Sequence, residues 1–183
     1  MDKPTLGDDP NAAFRDFNQL MGILTDLDQR GLALTLAAFA EESLGTLLAA
    51  FLRSETAAAK ELLEGFNAPL GTLSARIRAA YALGLVTEEQ FGDLERLRKI
   101  RNAFSHSWKP MSFEAPSIAA HIRGLNFNLM DDEYPATLME RFRSTISSLL
   151  VELRVTANEI IKTQAPSEGD RKTSCDRKAR HIR

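Results

Sequence analysis

The sequence predicts an all-α bundle of four or five main helices, and three observations carry that prediction. Apolar residues recur at spacings of three and four along most of the chain, the period of one helix face. Thr72, Gly84 and Thr87 fall where one helix should start, stop and give way to the next. No run of alternating apolar and polar residues is long enough to suggest a sheet.

Phe14, Phe17, Met21 and Leu24 mark a first amphipathic helix from Pro10, with Asp9 before it as a reasonable start. The second helix, about 30–52, is apolar around most of its circumference (Leu32, Leu36, Phe39, Leu44, Leu47, Leu48, Phe51), as expected at the centre of a bundle. Glu41 and Glu42 interrupt it. One should be solvated and the other should pair with a core-edge arginine, since buried carboxylates are seldom left alone. Ser54 is placed to cap a short helix over 57–64, and 65–71 is rich in turn residues. Thr72 caps a helix running to Leu83, with Leu73, Ile77, Ala80 and Tyr81 as its inner face, and Gly84 ends it.

Thr87-Glu88-Glu89-Gln90 reads as a capping box opening the next helix, and Pro110 stops it. Its stripe is Phe91, Leu94, Leu97, Ile100 and Phe104. Beyond Pro110 a short helix is expected over 117–125, a loop over 126–135, and a last long helix over 136–162. That last helix carries Leu138, Phe142, Ile146, Leu149 and Leu153 in line.

The chain has 183 residues, 44% of them apolar, which fits one domain with tails and a sizeable core. Residues 1–9 are expected to be disordered, residues 10–164 to form a single helical domain, and residues 165–183 to form a disordered basic tail. The tail has six Lys or Arg against three Asp or Glu and no apolar period. A formal charge of −2 argues against a general nucleic-acid coat, but leaves room for a local basic site. The single cysteine, Cys175, lies in the tail, so neither a disulfide framework nor a cysteine metal site is expected, and a reducing cytoplasm is the default compartment. No secretory signal follows Met1, and Glu41-Glu42 breaks the most apolar segment, so no membrane span is expected.

The candidate site lies at the end of the fifth of these segments, Arg98-Lys99-Ile100-Arg101-Asn102-Ala103-Phe104-Ser105-His106. At 100° per residue Arg101 falls roughly 40° from the centre of the stripe. A guanidinium that close to the core needs an anionic partner, and Glu41 or Glu42 is the obvious one. Asn102 and His106, four apart, share a face roughly opposite the stripe.

Metal-independent RNA cleavage suits these residues. The ribose 2′-hydroxyl attacks its own phosphodiester, so the protein needs only to move protons and stabilise charge. His106 titrates near neutral pH and would be the base or acid. Arg101 offers a planar fork to phosphate oxygens. Asn102 would orient the imidazole or contact the phosphate, Glu41 and Glu42 would orient the site, and Arg98, Lys99 and Lys109 would contact RNA phosphates. One chain supplies one such histidine, whereas a base and an acid both help, so a homodimer is expected. No metal and no cofactor is expected. His106, His121 and His181 lie far apart in sequence, and no glycine-rich phosphate loop occurs. His121, in a weakly patterned segment, is not expected to belong to the site.

The pattern Arg101-Asn102-x-x-x-His106 resembles the signature of the HEPN superfamily of helical proteins, many of them metal-independent ribonucleases. That resemblance implies a cleft shared between two copies. The longer stretch from Ala68-Pro69-Leu70-Gly71-Thr72 through Gly84-Leu85-Val86 into the motif helix is similar to the mannitol operon repressor family, whose members also carry an arginine and a histidine at this spacing. Together the two resemblances cover about residues 30–110.

They imply an alternative function, a transcriptional regulator working through a protein partner. The helices on either side of Gly84 superficially form a helix-turn-helix, but the start of the second carries Glu88, Glu89, Asp93 and Glu95, which repel phosphates where such a helix enters the groove. Arg96, Arg98, Lys99 and Arg101 come late. A third reading is a catalytically silent dimer that only binds RNA or a toxin-system partner.

Overall fold

The structure, a computed structural model, describes residues 12–52, 56–126 and 137–164. Within them the chain forms seven α-helices: α1 (Ala12–Leu24), α2 (Gln29–Phe51), α3 (Ala57–Leu63), α4 (Leu73–Ala82), α5 (Glu88–His106), α6 (Pro116–Arg123) and α7 (Leu138–Gln164). The described residues contain no strand, and the expected all-α bundle is what they form. The expected tails, the Asp9-Pro10 start, the Ser54 cap, the Phe14 side chain and most of the 126–135 loop lie outside the described residues.

α2 is the axis of the bundle. It packs most extensively on α7 and then on α4 and α5. Leu32, Leu36, Leu44, Leu47 and Leu48 of α2 are fully buried, and each such leucine stabilises the fold by about 1.5–3 kcal/mol over an exposed one. Among the described residues α2 is also the one helix long and apolar enough to cross a membrane, despite Glu41-Glu42. Its burial on several sides accounts for that composition, because a helix packed all round needs apolar residues all round. Leu94, Leu97, Ile100 and Phe104 of α5 meet this core as their spacing predicts, and Phe104 stacks edge-on against Phe113. Phe142, Ile146, Leu149 and Leu153 do the same from α7.

Helix ends follow side-chain chemistry. Thr87 Oγ1 accepts from Gln90 N at 3.3 Å, and Gln90 Oε1 accepts from Thr87 N at 2.9 Å, closing the expected capping box. Thr72 Oγ1 accepts from Ala75 N at 3.2 Å. Gly84, with φ of 70°, takes the left-handed position after α4, and Leu85 N returns to Ala80 O at 2.9 Å. Only two residues, Leu85 and Val86, then separate Gly84 from the Thr87 cap, so α4 and α5 form a tight hairpin.

Several details differ from expectation. Thr56 caps α3, accepting from Ala59 N at 3.3 Å. Asp28 caps α2 by accepting from Gly31 N at 2.7 Å, so α2 begins at Gln29. A second capping box, Thr137 with Glu140, starts α7 at Leu138, slightly later than the start at 136 that the apolar period indicates. Tyr81, expected on the inner face of α4, is largely exposed and stacks on Phe91 with ring centroids 4.4 Å apart. α6 begins at Pro116, which supplies a preset first helical position.

Candidate functional site

α5 brings three of the motif residues to one place. Arg98, Arg101 and Asn102 line a cleft of about 230 Å³ together with Glu41 of α2 and Thr72, Leu73 and Ser74 at the start of α4. Arg76 is what holds the start of α4 there. Its guanidinium donates to three carbonyls: Glu41 O at 2.7 Å, Leu70 O at 2.8 Å and Leu63 O at 3.2 Å. One side chain thus ties α4, the preceding loop, the end of α3 and the middle of α2 together.

Within the cleft, Arg101 Nη1 donates to Asn102 Oδ1 at 3.1 Å, and Arg101 Nη2 lies 3.8 Å from Glu41 Oε2. The second contact is an attraction through partly solvated space rather than a hydrogen bond, since the two side chains are 36% and 29% exposed. Glu41 is therefore the partner of Arg101. Glu42, the other candidate, pairs instead with Arg154 of α7 at 3.4 Å, so neither glutamate is left without a cation. Arg98 is held by Glu95 one turn earlier, with three hydrogen bonds of 2.7–3.2 Å, and that carboxylate raises its pKa.

The remaining candidates lie elsewhere. His106 is the last residue of α5, is exposed, and makes no hydrogen bond or ion pair among the described residues. It does not line the cleft. Five residues separate it from Arg101, about 140° around the helix, so the two point apart. Asn102 is half-buried rather than free on the outer face, because the start of α4 and Glu41 close over that side. Lys99 is exposed, and Lys109 is exposed with its ammonium 5.8 Å from the Trp108 ring centroid. Among the described residues no group of three or more His, Cys, Asp or Glu could hold a metal ion.

Some structural residues near the site were not singled out by sequence. Arg30 of α2 donates to Ser107 O at 2.9 Å and Lys109 O at 3.1 Å, anchoring the chain just after α5. Asp93, one of the acids expected to repel phosphates at the start of α5, is fully buried. It accepts from Asn126 N at 2.9 Å and from Arg96 Nη1 at 3.2 Å, latching the end of α6 onto α5. Arg76 had a visible signal, a cation within the short α4 segment between two turns, but nothing in sequence names carbonyls as its partners. His121, half-buried on α6, has its pKa lowered by burial first and then by Lys99 and Arg96.

These features define a class: an all-α bundle built round one apolar helix, with a polar cleft edged by the arginines of its central hairpin. Residues 13–165 match the mannitol repressor (MtlR) family, and the chain belongs to that family. It is 27% identical over 104 residues to the mannitol operon repressor of Escherichia coli strain K12, a match covering 51% of this chain and 53% of that protein. The mannitol operon repressor of Escherichia coli O6:H1 gives the same figures. The chain thus spans about half the length of the curated relatives it matches. Its fold is also similar to a chain in the X-ray structure of the MtlR–HPr complex from Escherichia coli, with a TM-score of 0.54 and 22% identity. That likeness covers 79% of this chain and 98% of the other, and at such identity it is a likeness of fold.

Proposed function

We propose that this chain is a transcriptional regulator of the mannitol-repressor type, acting in the cytoplasm by binding a protein partner rather than by reading DNA. Family membership supports the regulatory role. The observation that carries the mode of action is the charge on the α4–α5 hairpin. Its second helix begins with exposed Glu88 and Glu89, while Arg98 is held by Glu95 and Arg101 lies beside Glu41. Holding a DNA backbone requires several surplus cations spread along the surface, and acidic residues at the groove-entering end of a helix repel that backbone.

The fold likeness to a relative solved in complex with HPr supports a protein partner of that kind. Titration calorimetry of the full chain with the HPr protein of its own organism tests this, alongside gel shift with operator-length DNA at two salt concentrations. Saturable binding to HPr without DNA retention is the expected result. Tight, strongly salt-dependent DNA binding by the chain alone would overturn it.

A second reading is metal-independent RNA cleavage by a homodimer, through Arg101, Asn102 and His106. The juxtaposition of Arg98, Arg101 and Asn102 in one cleft favours it. The position of His106 outside that cleft weighs against it, so a second copy would have to supply the acid or base. Incubating the chain with a mixed RNA pool in EDTA, with His106→Ala as control and light scattering for the dimer, decides between the two readings.

A further inference from the structure

We propose that the cleft between α2, α4 and α5 binds a small polyhydroxylated phosphate monoester, a sugar or polyol phosphate. This site stands independently of whether an HPr-type protein binds the chain. Six of its seven lining residues are polar or charged, with Leu73 the sole apolar one. Each guanidinium has five N–H donors, and here most are unused. Among the described residues Arg98 uses only Nε and Nη2, both on Glu95. Among the same residues Arg101 uses only Nη1, on the neutral Asn102 carbonyl, while Nη2 stands 3.8 Å from Glu41, beyond hydrogen-bond distance.

Two partly filled guanidinium forks on one wall are suited to phosphate oxygens. Ser74 Oγ and Asn102 Nδ2 make no hydrogen bond among the described residues, and both belong to residues lining the cleft. Glu41 discriminates between ligands. Its carboxylate repels a bare dianion, yet accepts hydrogen bonds from hydroxyl groups. Arg98 and Arg101 are the two cations lining the cleft, enough for one phosphate but too few for the extended array of a polyanion such as RNA. Its volume of about 230 Å³ lies below the roughly 300–1,000 Å³ of drug-sized sites. That suits a six-carbon phosphate better than a nucleotide.

The test is titration calorimetry of the full chain with mannitol 1-phosphate, mannitol, inorganic phosphate and a short single-stranded RNA in EDTA. Saturable one-to-one binding of mannitol 1-phosphate is expected, with mannitol and phosphate each weaker by about tenfold or more. Arg101→Lys should weaken it by about tenfold through loss of the fork, with only a small drop in melting temperature in the absence of ligand. Ser74→Ala should weaken it by about threefold, and this variant carries the test if Arg101→Lys folds poorly. No saturable binding of mannitol 1-phosphate, equal binding by wild type and both variants, or RNA binding that displaces the sugar phosphate would overturn the proposal.

Discussion

A Cβ placed on Gly45 would lie 2.7 Å from Nη1 of Arg76, the guanidinium that joins α4 to α2. Glycine is therefore required at that turn of α2 for close approach, although helix propensity alone favours alanine there by about 1 kcal/mol. Arginine is a flexible chain, but this one is pinned by carbonyls of Glu41, Leu70 and Leu63. Gly45→Ala must break at least one of those bonds, and we expect a net loss of about 1–2 kcal/mol in urea unfolding. Pairing it with Arg76→Ala gives a direct check: once the guanidinium is gone, Gly45→Ala should become neutral or stabilising. A loss that persisted in the Arg76→Ala background would show that something other than this contact excludes the methyl group.

Among the described residues Glu42 and Arg154 form a second cross-bundle ion pair, and their exposure is unequal. The Arg154 side chain is 5% exposed, whereas that of Glu42 is 68% exposed. The arginine also lies over the Phe39 ring at 5.1 Å, and its Nε has no hydrogen-bond partner among the described residues. Solvent screening at the glutamate makes the pair itself weak, so Glu42→Ala should cost about 1 kcal/mol or less. Arg154→Ala removes buried packing as well and should cost about 2–4 kcal/mol. Arg154→Met fills the space without a charge and should be neutral or stabilising, because a well-packed apolar residue often outperforms a buried ion. Chemical denaturation of the three variants ranks them, and Arg154→Met falling as low as Arg154→Ala would refute the packing account.

The bundle was legible in sequence because helix period and capping chemistry are local. Leu94, Leu97, Ile100 and Phe104 are buried as their spacing requires, and the Thr87 box and Gly84 stop form as their residue types require. Pairing across helices was less legible. Arg101 was matched to a pair of adjacent glutamates, but which of them it meets depends on how α2 is rotated against α5 and α7, and successive residues differ by 100°. The same limit hid Asp93. Glu88 and Glu89 of the same helix are exposed, whereas Asp93 is fully buried between Arg96 and Asn126, which returns beside it. Asn102 and His106 were placed together by the four-residue spacing, yet α4 covers the first and leaves the second at the open end of the helix.

His121 links stability to pH. Burial, then Lys99 and Arg96, lower its pKa from the ordinary 6.5. The unfolded chain therefore takes up a proton near that pH while the folded chain does so only at lower pH. Stability should be flat above about pH 6.5 and fall as the pH drops below it, with the loss complete once the folded imidazole is also protonated. Glu89 and Glu140 act in a lower window. Hydrogen bonds from backbone amides, and then from Thr87 or Thr137, hold their pKa values below 4.5, so their contribution is present above that pH and lost below it. His121→Gln should flatten the curve just below pH 6.5 and leave the acid limb unchanged. Urea midpoints across that range, compared between wild type and variant, provide the check. An unchanged slope in His121→Gln would place the titration on another group.

Arg101 decides how the cleft is understood, because a residue that stabilises the fold and one that awaits a ligand respond differently to substitution. A closed, buried pair with Glu41 would make Arg101→Ala cost about 3–5 kcal/mol. The observed pair is neither closed nor buried: the distance is 3.8 Å and about a third of each side chain meets solvent. We therefore expect Arg101→Ala to lose no more than about 1 kcal/mol, in the range of exposed pairs. Arg101→Lys should lose less still, since a lysine keeps the charge facing Glu41 and forfeits only the fork and the bond to Asn102. Urea unfolding of both variants measures this directly. If stability holds while the cleft loses its affinity for a phosphorylated ligand, Arg101 serves binding. A loss of several kcal/mol in Arg101→Ala that Arg101→Lys does not repair would instead make it a structural arginine, and the cleft would be a seam between helices rather than a site.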